Sequence, residues 1–103
     1  MADRLEQLLK LHAADPADPF CTYGIALEHA KQGRTDDALG WLDKTLAADA
    51  GYCYAYFQKG KLLAERGDGA AARIVLERGI NAARAAKDPH AEAELMSLLE
   101  SVS

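Results

Sequence analysis

Two stretches of this chain match each other at a constant offset, position i with position i+34, and this repeat constrains the fold more than any other feature. The matching pairs are Gly33 and Gly67, Ala38 and Ala72, Leu42 and Leu76, Leu46 and Ile80, Phe20 and Tyr54, Tyr23 and Phe57, and Ala26 and Gly60. A period of this length is typical of units that cannot bury their apolar face alone and therefore stack on a neighbour. Function in such chains usually lies on a surface of the stack.

Length and composition predict one small helical domain. The chain has 103 residues, of which 50% are hydrophobic and only 3 are proline, and abundant alanine favours helix. A net charge of −4 argues against nucleic acid or anionic lipid as the main partner. Asp3, Arg4 and Glu6 stand where a signal peptide needs an apolar core, and no apolar run reaches the length of a membrane span. We therefore expect a cytoplasmic protein.

The two cysteines favour a structural role. Cys21 and Cys53 stand far apart in the sequence, without a CxxC motif or a neighbouring histidine. A buried free cysteine packs as a small hydrophobe, which is the ordinary state in a reducing compartment. A disulfide or a redox role stays open, without a positive signal for either.

Local signals predict six helices and no sheet. Asp18 and Asp88 each precede a proline and are predicted to cap helix N-termini, as are Thr35 and Asp68. Gly33 and Gly67 are predicted to end helices in the left-handed conformation. The expected helices cover roughly residues 2–14, 19–32, 36–48, 52–66, 69–86 and 89–101. Because the connections are short, residues 19–48 and 52–86 should form two antiparallel helical hairpins in tandem.

The two hairpins carry a recognisable pattern. The second reads Tyr56-x2-Lys59-Gly60-x2-Leu63 and then Ala72-x3-Leu76, and the first reads Thr22-x2-Ile25-Ala26-x2-His29 and then Ala38-x3-Leu42. This pattern resembles the tetratricopeptide repeat, a 34-residue helix–turn–helix unit. Departures are the missing tryptophan in both copies, the lysine at position 59 where the family has leucine, and the absence of a closing proline after either hairpin.

The resemblance implies an architecture for the whole chain. It implies an all-α fold of tandem antiparallel hairpins in a right-handed superhelix, forming a single domain over residues 1–103. Residues 19–50 would be the first repeat and residues 52–86 the second. Residues 2–14 would form an N-terminal capping helix and residues 89–101 a C-terminal one. Two repeats are fewer than such a stack usually needs, so both caps should be required for stability.

The resemblance also implies a binding site. In tetratricopeptide domains the first helices of the repeats line a concave groove that holds a peptide. The residues here that match the groove-lining places are Phe20, Tyr23, Leu27, Lys31, Tyr54, Phe57, Lys61 and Glu65. Four aromatic rings on such a face suit the anchor side chains of a partner. We therefore expect a protein–protein interaction module that binds a partner peptide or helix on its concave aromatic face.

Three alternatives use the same residues differently. The rings could pack against each other or beneath the sixth helix, or the same face could close a structural homodimer, or the domain could be an accessory subunit of a separately encoded enzyme. The version of the groove that clamps a terminal carboxylate is disfavoured, because Tyr23 and Leu27 replace its lysine and asparagine. Trp41 is expected to pack against a neighbouring helix.

No residue pattern indicates catalysis. His12, His29 and His90 are scattered along the chain without acidic or cysteine neighbours that would complete a metal site. The C-terminal serines have no base at helical spacing, and the glycines near residue 67 lack the lysine of a phosphate-binding loop. We expect no enzyme activity, no cofactor and no metal. The expected partner is a protein or peptide, with neither nucleic acid nor membrane, and the chain itself a monomer or weak homodimer.

Overall fold

The computed structural model describes residues 3–102 and contains six α-helices. They are α1 (Arg4–Ala14), α2 (Pro19–Lys31), α3 (Thr35–Ala48), α4 (Cys53–Glu65), α5 (Gly69–Ala85) and α6 (Pro89–Val102), and no strand occurs in this part of the chain. The six predicted helices are confirmed, with ends that differ by at most one residue from the prediction. The exception is the start of α1, whose predicted first residue, Ala2, lies outside the described residues.

The chain divides into two compact units, Met1–Ala50 and Gly51–Ser103. In the first unit α2 packs against α1 and α3, and in the second unit α6 packs against both α4 and α5. The division falls between the two predicted repeats. No helix within residues 3–102 is both long and apolar enough to cross a membrane.

Aspartate side chains begin four of the helices. Each accepts a hydrogen bond from a backbone N–H of the first turn, which would otherwise have no partner. The bonds join Asp3 to Glu6 at 2.8 Å, Asp18 to Phe20 at 3.0 Å, Asp68 to Ala71 at 3.2 Å and Asp88 to Ala91 at 3.0 Å. The predicted caps Asp18, Asp68 and Asp88 are therefore confirmed, and Asp3 is a further cap.

The predicted cap Thr35 is wrong. Arg34 is the N-cap residue of α3, and Thr35 already lies in the helix. The reason is that the backbone N–H of Arg34 bonds back to the carbonyl of His29 at 2.9 Å, which closes the turn at Gly33 and starts α3 one residue earlier. The Arg34 side chain donates its Nε–H to His29 Nδ1 at 2.9 Å and does not cap the helix.

Three helices end with a residue in the left-handed conformation. Gly33 has a φ of 77° and Gly67 a φ of 91°, as predicted, and Lys87 takes the same position after α5 with a φ of 56°. After α5 the N–H of Asp88 reaches back to the carbonyl of Ala83 at 2.9 Å, the same bond that closes the two glycine turns. A side chain in this conformation carries a steric penalty that glycine does not.

We therefore predict that Lys87→Gly stabilises the protein by about 0.5–1 kcal/mol. The substitution relieves the left-handed strain, and the greater entropy of glycine in the unfolded chain offsets part of the gain. Urea unfolding measures the difference. Lys87→Ala is the control, because alanine keeps the Cβ and hence the strain. A gain of equal size for both variants would contradict this account.

Each unit has its own apolar core. The core of the first unit contains Leu8, Cys21 and Ile25, with Leu5 and Trp41 packed against it. The core of the second unit contains Cys53, Leu76, Ile80, Ala83, Ala91 and Leu95. Both terminal helices therefore contribute buried leucines, namely Leu8 from α1 and Leu95 from α6. Leu9, the neighbour of Leu8 on α1, is 40% exposed and lies at the surface.

Two glycines set the spacing between helices in the second unit. A Cβ added at Gly60 would lie 2.5 Å from Leu76 Cδ2 and 2.6 Å from Leu76 Cγ, and one added at Gly79 would lie 2.6 Å from Tyr56 Cβ. Ala26 fills the place of Gly60 one repeat earlier, which would suggest that Gly60→Ala is nearly neutral, but the short distances to Leu76 predict a loss of stability instead. Leu76 is fully buried in the core of the second unit, so a shift away from an added methyl group would disturb the packing of its neighbours.

Gly79→Ala should destabilise the protein by about 1–3 kcal/mol, because the new methyl group meets an atom fixed close to the α4 backbone. Gly40→Ala is the matched control. Gly40 also lies inside a helix, but an added Cβ there has nothing within 4 Å. Only the gain in helix propensity remains at that position, so Gly40→Ala should stabilise by about 1 kcal/mol. Thermal and urea unfolding measure both changes. A change of the same sign in the free energy of unfolding of both variants would refute the close approach at Gly79.

Candidate functional site

The predicted site residues lie on two helices that belong to different units. Those of α2 are Phe20, Tyr23, Leu27 and Lys31, and those of α4 are Tyr54, Phe57, Lys61 and Glu65. On α2, the Phe20 ring is 65% exposed, an unusually large fraction for an aromatic side chain. Tyr23 and Leu27 are half-buried and Lys31 is exposed.

On α4 the two aromatic residues are partly built into the core. Tyr54 and Phe57 pack against the core of the second unit, and their rings meet edge to face with 6.4 Å between centroids. The alternative in which these rings pack against each other is therefore observed for this pair. Both residues remain half-buried, so each also presents surface to solvent, and Lys61 and Glu65 are exposed.

An open groove of about 310 Å³ runs between α4 and α6. Its lining consists of Phe57 from α4 together with Glu94, Ser97, Leu98 and Ser101 from α6. Phe57 and Leu98 provide apolar surface, and the carboxylate and the two hydroxyls provide polar surface. We call this the α4–α6 groove. It combines apolar contact area with a few polar groups, which is the usual character of a binding site.

The α6 residues of this groove were not predicted, although the sequence contains a signal for them. Helix α6 begins 36 residues after α4, which is one repeat period plus two residues. At that offset, Ser97 and Ser101 of the groove correspond to the predicted site residues Lys61 and Glu65. The sequence analysis assigned α6 only the role of a capping helix, so its residues were not included in the predicted site.

Charge in the groove centres on Glu94. Its Oε1 lies 2.6 Å from His90 Nε2, and its carboxylate also accepts a hydrogen bond from the Tyr54 hydroxyl. Partial burial, the negative charges of Glu94 and Asp88, and this hydrogen bond together raise the pKa of Tyr54. Each of these causes favours the neutral phenol over the phenolate.

Glu94→Gln should lower the pKa of Tyr54 towards its ordinary value of about 10, because the substitution removes a nearby negative charge. The Cζ chemical shift of Tyr54 in tyrosine-labelled protein follows the titration. In the native protein the folded pKa exceeds the unfolded one, so this contribution to stability is complete below about pH 10 and is lost as pH rises through the folded pKa. Glu100→Gln on the same helix is the control. If both variants leave the Tyr54 titration unchanged, Glu94 does not interact with it.

The remaining side chains singled out in the sequence have structural surroundings. Trp41 packs on the core of the first unit, in edge contact with the His12 ring at 4.9 Å, and Lys44 Nζ lies 4.2 Å from its ring centroid. Both cysteines are free and buried. Burial, followed by the carboxylates of Asp18 and Asp15, raises the pKa of the Cys21 thiol, which disfavours a reactive thiolate. Within residues 3–102 no three His, Cys, Asp or Glu side chains form a metal-binding group.

The helices and this groove define an all-α protein of helical hairpins with an open groove on its surface. No protein-family model matches the chain, and no curated protein matches it significantly. Solved structures do match. A tetratricopeptide repeat domain protein from Salinibacter ruber is 28% identical, with a TM-score of 0.81 over 86% of this chain and 90% of that one. A protein from Bordetella parapertussis is 28% identical, with a TM-score of 0.85 over 99% of this chain and 89% of that one.

A third structure includes a ligand. It is the type III secretion chaperone SycD from Yersinia enterocolitica in complex with a peptide of the translocator YopD. Its TM-score is 0.85 at 18% identity, over 95% of this chain and 76% of that one. The fold of this chain is therefore tetratricopeptide-like, as the repeat pattern predicted.

Proposed function

We propose that this protein is an interaction module that binds a peptide or helix of a partner protein in the α4–α6 groove. The observation that carries the proposal is the groove itself, in which Phe57 and Leu98 form an apolar floor between polar side chains. The structural similarity to SycD, which is known in complex with a peptide, supports the same class of ligand. The proteins to which the chain is similar include a tetratricopeptide repeat domain protein and a chaperone, which agrees with a binding function.

The chemistry of the groove suggests how a peptide would be held. An apolar side chain of the peptide would lose its hydration against Phe57 and Leu98, which supplies most of the binding energy. Ser101 donates its hydroxyl proton to the Leu98 carbonyl at 2.7 Å, so its oxygen is left as an acceptor for a peptide N–H. The Glu94 carboxylate adds a second acceptor and a negative charge.

We propose that the equivalent residues of α2 form a partner-binding surface of the first unit. Phe20, Tyr23 and Leu27 stand one repeat period before Tyr54, Phe57 and Lys61. The exposed ring of Phe20 is the kind of side chain that anchors a partner, since aromatic residues are enriched in interfaces. A cytoplasmic location, where thiols stay reduced, is proposed on the two free cysteines.

Selection from a random peptide library displayed on phage, followed by titration of the enriched peptides, tests the proposal. Phe57→Ala should weaken binding about 30-fold, which corresponds to about 2 kcal/mol for a central aromatic anchor. Ile74→Ala is the matched control. Ile74 is an apolar residue of the same unit that is 54% exposed and lies outside the groove, so its loss should change affinity less than twofold.

A second variant guards against loss of the fold, because Phe57 also packs on the core. Ser97 is exposed in the groove lining, so Ser97→Arg should obstruct binding while leaving the melting temperature unchanged. The proposal fails if no peptide is enriched or if neither variant affects binding. The structural homodimer would be supported instead if the mass of the native protein doubles with concentration while the Ser97→Arg variant stays monomeric.

A further inference from the structure

A second groove lies on the other side of α6, between α5 and α6, with a volume of about 360 Å³. Ile80, Met96 and Leu99 form its apolar part, and Glu77, Arg84 and Glu100 are among its polar residues. It shares no lining residue with the α4–α6 groove. Met96 is 41% exposed, which is a large fraction for an apolar side chain in a helix. We call this the α5–α6 groove.

The first unit shows how such a groove is filled. There, α3 packs against α2 and also reaches α1, because Trp41 meets the His12 ring and packs with Leu8 and Ile25. The pair α1 and α2 thus receives a third helix, which places a large aromatic side chain against it. This helix continues the chain directly after α2.

Helices α5 and α6 form the corresponding pair, and although α4 packs on both of them, the described residues include no helix in the place that α3 has beside α1 and α2. Helix α5 lies two repeat periods after α1, so that Leu76 corresponds to Leu8 and Ile80 to His12. Ile80 corresponds to His12, whose ring Trp41 contacts in the first unit, and it lines the α5–α6 groove. An apolar residue at this position suits an apolar anchor from a helix that lies where α3 lies in the first unit.

The charge of the α5–α6 groove indicates the chemistry of this helix. Arg84 Nε is paired with Glu92 Oε2 at 2.7 Å, which neutralises the one basic residue of the lining. Glu77 and Glu100 are exposed, and within residues 3–102 neither forms an ion pair. The groove therefore combines an apolar floor with net negative charge, which favours a cationic partner.

We propose that the α5–α6 groove docks a cationic amphipathic helix of a partner protein. Its apolar face carries one large side chain against Ile80 and Met96, and its lysine or arginine residues face Glu77 and Glu100. The helix takes the place that α3 has beside α1 and α2. This is the helix-in-groove mode of recognition, and it is independent of peptide binding in the α4–α6 groove.

A peptide derived from α3 provides the probe. It has the sequence of residues 35–48 with Asp36→Lys, Asp37→Lys and Asp43→Lys, and carries a fluorescent label. The native protein should bind it saturably. The unaltered α3 peptide and a cationic peptide with Trp41→Ala are the controls, and each should bind at least tenfold more weakly, because the first lacks the cations and the second the anchor.

Variants of the protein locate the site. Met96→Glu, and separately Glu77→Lys combined with Glu100→Lys, should each weaken binding of the cationic probe at least tenfold. These three side chains are exposed, so the melting temperature should not change. Ser97→Arg, which obstructs the α4–α6 groove, should leave the affinity for the probe unchanged.

Four results would overturn the proposal. The first is no saturable binding of the cationic probe, and the second is binding that neither Met96→Glu nor the double charge reversal weakens. The third is a native protein whose mass doubles with concentration and returns to that of a monomer after Met96→Glu, which would make the α5–α6 groove a contact between copies of this chain. Loss of probe binding after Ser97→Arg would assign the probe to the α4–α6 groove and count equally against the proposal.

Discussion

The second unit depends on the contact between Leu76 and Gly60. Leu76 is fully buried, and its Cγ lies only 2.6 Å from the place where a Cβ at residue 60 would be. Only glycine allows this side chain to rest directly on the α4 backbone. Gly79 repeats the arrangement one turn further along α5, where its missing side chain leaves room for Tyr56. These two glycines determine how closely α4 and α5 approach.

Both grooves follow from this spacing. Because α4 and α5 lie close together, α6 packs on both at once, with Ala91 and Leu95 in the shared core. One side of α6 then forms the α4–α6 groove with Phe57, and the other forms the α5–α6 groove with Ile80. The helix expected only to close the stack therefore contributes to both candidate binding surfaces.

Features that depend on neighbouring residues could be predicted from the sequence. The glycine turns and the caps at Asp18, Asp68 and Asp88 are decided by local backbone geometry and by short side chain–backbone bonds. Thr35 was placed wrongly because the geometry of the turn decides which single residue caps the helix, and the sequence pattern is compatible with either Arg34 or Thr35 after Gly33. The left-handed conformation of Lys87 could not be predicted from the local sequence, because glycine is the residue that usually indicates this conformation.

The parts of the site that depend on packing could be predicted less well. Repeat register identified Phe57, but the contribution of α6 requires knowing where a helix that starts two residues later than the repeat period will lie. Equivalence between Ala26 and Gly60 suggested tolerance of alanine, because register alone does not show that Leu76 occupies the space beside Gly60. Side-chain packing of this kind is a property of the assembled core and not of the repeat pattern.

A double-mutant cycle between Gly60→Ala and Leu76→Ala tests the central contact most directly. Urea unfolding in a sulfate buffer, which stabilises folded states, gives the free energy of unfolding of all four proteins. Gly60→Ala should cost about 1–3 kcal/mol alone and much less when Leu76 is already alanine, because the three atoms that the new methyl group meets are then gone. A coupling of at least about 1 kcal/mol is the expected result. Additive effects of the two substitutions would show that the helices are not held at this spacing by Leu76 on Gly60.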